Sequence, residues 1–150
     1  MYGITYNLLL ENKREDWIDI GSLGIIHFKK GYFVYTGSAF GINGYHRIHR
    51  HLINFSYNGV SISDRDLKNY KRWWHIDYLK GYMDIIGFLS SKTDKKMECI
   101  VANFLSDKFD GIKGFGCSDC SCYTHLHYSP VRIKILTALV DIHNLLRSYN

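Results

Sequence analysis

The stretch Gly31 to Leu52, GYFVYTGSAFGINGYHRIHRHL, constrains the fold most, because the periodicity of its side chains changes once, at a run of glycines. Tyr32, Phe33, Val34, Tyr35 and Thr36 are aromatic or β-branched, types that suit a pleated, half-buried surface, so the run predicts a strand. Gly37, Gly41 and Gly44 follow, and they allow a turn to take positive φ or to approach a ligand closely, as a turn beside a phosphate must. From Tyr45 the pattern is helical. Tyr45, Ile48, Leu52 and Phe55 fall on one stripe, and His46, Arg47, His49, Arg50 and His51 cover the rest, with Arg47 and His51 stacked one turn apart at its border.

The remaining chain reads in the same terms. Ile4, Tyr6, Leu8 and Leu10 alternate with Thr5, Asn7 and Leu9, which predicts a first strand with Tyr6 on the side of Leu8 and Leu10. Trp17 to Ile20 and Ile25 to Phe28, separated by Gly21-Ser22-Leu23-Gly24, suggest a short extra hairpin. Asn58-Gly59 marks a turn in a polar loop, and Ser63-Asp64-Arg65-Asp66 has the N-cap serine and acidic first turn of a helix start. Trp73 to Leu79 offers apolar area for packing, and Asp84 to Ser90 reads as a third strand. Met97, Val101, Phe104 and Leu105 repeat at helical spacing, which puts Glu98 in a first turn. Gly111 to Asp119 is irregular, and Ser129-Pro130 opens a last helix, Val131 to about Ser148, carrying Ile135, Leu136, Leu139, Val140, His143 and Leu146. Its first reading is core packing and its second a dimer face.

With 150 residues, 46% apolar content and a single proline, the chain is expected to form one domain, residues 1–150, with residues 129–148 as a C-terminal helical extension. The N-terminal segment has no basic stretch followed by an apolar core, and no run has the roughly 18 apolar residues of a membrane span, so a cytoplasmic protein with no membrane partner is expected. The net charge of +5 favours polyanions. The positive side chains are grouped, with Arg47 and Arg50 among three histidines and Arg65, Lys68, Lys71 and Arg72 near His75. Each group is either a solvated face or an anion contact, and the glycine turn beside the first favours contact.

Tyr35-Thr36-Gly37-Ser38-Ala39 followed by Arg47-Ile48-His49-Arg50-His51 resembles the second half of the GIY-YIG nuclease signature. Trp74-His75-Ile76-Asp77-Tyr78-Leu79, Glu98-Cys99, the segment Gly114 to Cys122 and His125-Leu126 follow in the order seen in the DUF123 branch of that superfamily. The resemblance runs from about Gly3 to Tyr128. It implies an α/β fold in which a three-stranded antiparallel sheet is flanked by helices and the signature halves lie on adjacent strands. Gly3-Ile4-Thr5-Tyr6 holds one residue more than Gly-Ile-Tyr, and Tyr6 is taken as the counterpart tyrosine.

The resemblance further implies a metal-dependent endonuclease acting on branched, damaged or duplex DNA in repair or recombination, with RNA as another possible substrate. Glu98 takes the place of the acid that holds Mg²⁺ or Mn²⁺, Arg47 that of the phosphate-gripping arginine, and Tyr6, Tyr35 or His51 that of the group activating water. Gly37, Ser38, Arg50 and His75 are the expected nucleic-acid contacts. Each residue has a plainer reading: acids are common in first helical turns, arginines form surface ion pairs, and tyrosines pack at core edges. The extra residue before Tyr6 favours an alternative, a binding module that retains the phosphate-gripping face without turnover.

Cys117, Cys120, Cys122 and His125 have the ligand types of a structural zinc site but tighter spacing than two separated hooks; packed thiols or a disulfide are the other readings. The chain is expected to be a monomer or a homodimer.

Overall fold

The computed structural model describes residues 2–41, 43–55, 72 and 74–148. The expected turn at Asn58-Gly59, the helix start at Ser63 to Asp66, the basic residues Arg65, Lys68 and Lys71, and Trp73 lie outside them.

The sheet is built on β1 (Gly3–Asn12), the first predicted strand, whose side chains are buried on both faces over most of its length. β1 pairs antiparallel with β4 (Gly31–Ala39) on one side and with β5 (Asp84–Thr93) on the other. These three are the strands the sequence predicts. The sheet has five, in the order β5-β1-β4-β7-β6, so the three-stranded expectation is corrected by β6 (Asp110–Gly111) and β7 (Leu126–Ser129). Both are too short and too polar to show a period of two. They form because β4 offers β7 an open edge, along which Tyr32 pairs with Ser129 and Tyr35 with Leu126. The expected hairpin is present as β2 (Asp16–Asp19) and β3 (Ile25–Phe28).

Each face of the sheet carries its own apolar cluster. Tyr6, Leu8 and Leu10 lie on one face with Phe33 and Tyr35, covered by the β2–β3 hairpin, by Ile48 of α1 (Gly44–Phe55) and by Ile76 and Leu79 of a 3₁₀ turn, His75–Leu79. Leu9 and Val34 face the other way, onto Val101 and Leu105 of α2 (Glu98–Ser106) and onto Ile135, Leu139 and Ile142 of α3 (Arg132–Ser148). A one-residue change of register would exchange these faces, and burial on both sides resists it.

Two predicted helix stripes are corrected. In α1, Tyr45 is 60% exposed and Leu52 42%, while Gly44, Ile48 and His51 are buried. In α3 the buried face is Ile135, Ala138, Leu139, Ile142, His143 and Leu146, and Leu136 and Val140 are exposed. The Ser129 hydroxyl accepts the Val131 N–H at 3.0 Å, and the helix begins at Arg132.

α3 is part of the core, and its His143 is tied to the predicted site. The Asn7 side-chain oxygen can only accept, so His143 Nε2 donates to it at 2.8 Å and Nδ1 accepts from the Ser91 hydroxyl at 2.8 Å. The Asn7 amide donates onward to Thr36 Oγ1 at 2.8 Å. A buried polar chain thus runs from α3 through β1 to the middle of Tyr35-Thr36-Gly37. Among the described residues no helix is long and apolar enough to cross a membrane.

Candidate active site

The site starts from the register of β1 and β4, which sets Tyr6 opposite Gly37. A Cβ at Gly37 would stand 2.6 Å from both Cζ and the hydroxyl oxygen of Tyr6, so glycine is the residue that lets this ring lie flat across the neighbouring strand. Gly37 therefore serves close approach, and the turn conformation falls to Gly41 at φ +75°. Tyr35 shares the face of Tyr6, as the period of two requires. Burial holds both phenols above their ordinary range; Tyr35 reinforces this at Tyr6, and Arg47 works against it at both.

α1 then sets its basic side chains over these rings. Arg47 donates to the Ser38 carbonyl at 3.3 Å, and its guanidinium lies 4.7 Å from the centre of the Trp74 ring. Arg50 stacks on Trp74 at 5.0 Å and donates to Asp77 Oδ2 at 3.1 Å. Asp77 is only 2% exposed, and its Oδ2 also accepts the Trp74 N–H at 3.0 Å. Trp74 and Asp77 thus form a shelf that holds both arginines. Arginine is suited to it, because its planar group stacks on an aromatic face and still donates at its edge.

His51 does not lie on the wall of the cleft. It is 1% exposed, with its ring centre 6.2 Å from that of Tyr35, 6.4 Å from Tyr6 and 5.8 Å from Trp74. Burial lowers its pKa to about 4, against the pull of Asp77. Its Nδ1 is 3.9 Å from Asp77 Oδ1, and at neutral pH this is a neutral imidazole beside a carboxylate rather than an ion pair.

The open space in front is a cleft of about 440 Å³, and its wall includes Tyr35, Gly37, Ser38, Arg47, Trp74 and Glu98. α2 packs on the far face of the sheet, yet its first residue, Glu98, reaches the same cleft as Arg47. Glu98 Oε2 is buried and has no hydrogen-bond partner among the described residues, and the same holds for the Tyr6 hydroxyl and both ring nitrogens of His51. Among the described residues six buried side-chain atoms lack a hydrogen-bond partner, four of them in this one cluster. Buried polar atoms are paired nearly everywhere in proteins, so such a concentration marks a place built for something other than stability. His75, Asp119 and His125 also line the cleft. His75 Nδ1 accepts the Gly116 N–H at 2.8 Å, which fixes the loop carrying Asp119.

Residues 5–148 match the model of a family described as a domain of unknown function, DUF123. The chain belongs to the DUF123 family. No curated protein and no solved structure matches it significantly.

In this DUF123 domain the predicted residues Tyr35, Gly37, Ser38, Arg47, His75 and Glu98 meet at one cleft. Tyr6 and His51 stand directly behind it, and Arg50 is turned to Asp77. The sulfur cluster needs a correction. The ligand atoms that lie within 4.8 Å of one another belong to Cys99, Cys120, Cys122 and His125, a set able to hold a metal ion. Cys117 is outside that set, and its thiol donates to the Phe115 carbonyl at 3.4 Å. Cys99 was missed because it comes from α2, 21 positions before Cys120. The one local signal was its place next to Glu98. The role of Trp74 as a shelf was also hidden, since nothing in its sequence surroundings pairs it with α1.

Proposed function

We propose that this chain is a divalent-metal-dependent endonuclease that hydrolyses DNA phosphodiester bonds in this cleft, with residue roles like those of the GIY-YIG nucleases it resembles. One observation carries the reading: Glu98, whose buried Oε2 has no hydrogen-bond partner among the described residues, lines the same cleft as Arg47. One protein carboxylate is enough for Mg²⁺ or Mn²⁺, since Mg²⁺ keeps several waters and takes its remaining ligands from substrate phosphate. Held by Glu98, such an ion supplies Lewis acidity toward the phosphoryl oxygen and a more acidic water.

The chain's own groups do the rest. Arg47, braced by the Ser38 carbonyl and Trp74, grips the phosphate with a fork whose direction is set before substrate arrives. Arg50 and Asp77 hold the shelf beneath it. Tyr6 and Tyr35 keep their protons at neutral pH; Tyr35, on the cleft wall, acts as a hydrogen-bond donor there, and Tyr6 packs directly behind it. His51 is neutral at pH 7, held so by burial behind the cleft wall, and its ring packs against Tyr6, Tyr35 and Trp74. Ser38 and His75 offer contacts along the sugar-phosphate backbone.

The test is cleavage of supercoiled and forked DNA with Mg²⁺, Mn²⁺ or EDTA. Glu98→Gln is expected to lower cleavage by about 100-fold or more with binding retained, since changes even in the outer shell of metal sites cost 10- to 100-fold. Arg47→Ala is expected to weaken binding and to flatten its salt dependence, as loss of a phosphate contact does. Equal cleavage in EDTA would contradict the proposal. The Tyr6 hydroxyl, wholly buried, favours a second reading, a module that binds nucleic acid without cutting it. Salt-sensitive binding with no cleavage in any divalent metal would select that reading.

A further inference from the structure

Three thiols and an imidazole converge beside the cleft from two separate parts of the chain. Cys99 stands in the first turn of α2, Cys120 and Cys122 in the loop after Cys117, and His125 just before β7. Their ligand atoms all lie within 4.8 Å of one another. Cys120 Sγ and His125 Nε2 are 3.5 Å apart. In a tetrahedral zinc site, with bonds of about 2.3 Å to sulfur and about 2.0 Å to nitrogen, the sulfur–nitrogen edge is about 3.5 Å.

The imidazole is also oriented for the role. His125 Nδ1 is 3.2 Å from the Thr36 carbonyl oxygen, which can only accept, so Nδ1 carries the proton and Nε2 presents its lone pair toward Cys120. A ligating histidine whose other nitrogen donates to a backbone carbonyl is the usual outer arrangement of a zinc site. The plainer readings fit less well. All four cysteines are only partly buried, unlike core thiols, and none is in a disulfide.

We infer that Cys99, Cys120, Cys122 and His125 form a structural zinc site that ties the Glu98 end of α2 to the Tyr35-Thr36-Gly37 strand. Zinc is the ion because soft thiolates select it over Mg²⁺, and four protein ligands close its shell and leave no open position for chemistry. On binding, three S–H bonds break, three Zn–S bonds and one Zn–N bond form, and the three protons pass to solvent. His125 also accepts the Thr36 N–H at its own carbonyl, at 2.9 Å, so the cluster grips β4 twice. Cys99 follows Glu98 directly, so the same cluster fixes where that carboxylate begins. The site does not depend on the nuclease reading, because metal content is read with no nucleic acid present.

The experiment is elemental analysis of the untagged full chain, purified without chelator, followed by replacement of the metal with Co²⁺. The expected result is about one zinc per chain, and for the cobalt form the intense visible bands of a tetrahedral thiolate site. Cys99→Ser and Cys122→Ser are expected to lose the metal, and Cys117→Ser to retain it in full. If Cys99→Ser fails to fold, the wild-type stoichiometry, the cobalt spectrum and Cys117→Ser still decide. A wild-type chain without metal after exposure to zinc, or a Cys117→Ser chain that loses it, overturns the inference. A chain that holds zinc and cuts no DNA tells against the nuclease alone.

Discussion

Gly37→Ala tests the arrangement at the centre of the site. Gly37 lies within β4 at a backbone conformation open to any residue, so the substitution acts through space and not through strain in φ. The new methyl would lie 2.6 Å from Cζ and the hydroxyl oxygen of Tyr6, where ordinary contact begins at 3.4 Å. The Tyr6 ring has little room to withdraw: it is 0% exposed, stacks on Phe88 at 5.9 Å and meets His51 at 6.4 Å. Overpacking of this kind costs about 1–3 kcal/mol. At about 2–4 °C per kcal/mol for a chain of this size, the midpoint of thermal unfolding should fall by roughly 2–12 °C. The control is Gly87→Ala in β5, where the added Cβ meets Leu9 at 3.4 Å, an ordinary contact. There the expected change is neutral or a gain of about 0.5–1 kcal/mol, because alanine gives up less backbone entropy than glycine on folding. Urea unfolding followed by tryptophan fluorescence measures both. If the two variants have the same stability, Tyr6 does not lie over Gly37 and the site as drawn is wrong.

Two further predictions concern the unpaired groups. Tyr6→Phe removes a buried hydroxyl that has no partner among the described residues, so stability should stay level or rise by about 1 kcal/mol; a loss above about 1 kcal/mol would mean that the hydroxyl is paired. The second concerns acid. His51, His127 and His143 all fall from the ordinary 6.5 to about 4, chiefly through burial. Between those values the unfolded chain binds the protons that the folded chain refuses. The stabilisation is therefore complete above pH 6.5 and declines as pH falls toward 4, by up to about 3 kcal/mol for one such histidine. Unfolding midpoints measured from pH 7.5 to 4 should fall along that window, and a flat profile would show that these rings are not held neutral.

Local pattern along the chain accounts for β1, β4 and β5, the basic helix and six of the residues that line the cleft. β1, β4 and β5 are long enough for a period of two to stand out, and α2 repeats Val101 and Leu105 at helical spacing. The glycines, the tyrosines, Arg47 and Glu98 were readable because ordered short motifs survive in the linear chain. β6 and β7 were not, since a two-residue and a four-residue strand have no period and form only along an existing edge. Which side of α1 turns inward was decided by what it meets. Tyr45 and Leu52 face solvent and His51 is enclosed, because Tyr6, Tyr35 and Trp74 form a pocket for an imidazole. The replacement of Cys117 by Cys99 in the sulfur cluster follows the same logic. Periodicity and motif order are carried by neighbours along the chain, but the contacts that complete this site join β1 to β4, α1 to Trp74 and α2 to the loop before β7, and sequence spacing holds no record of those distances.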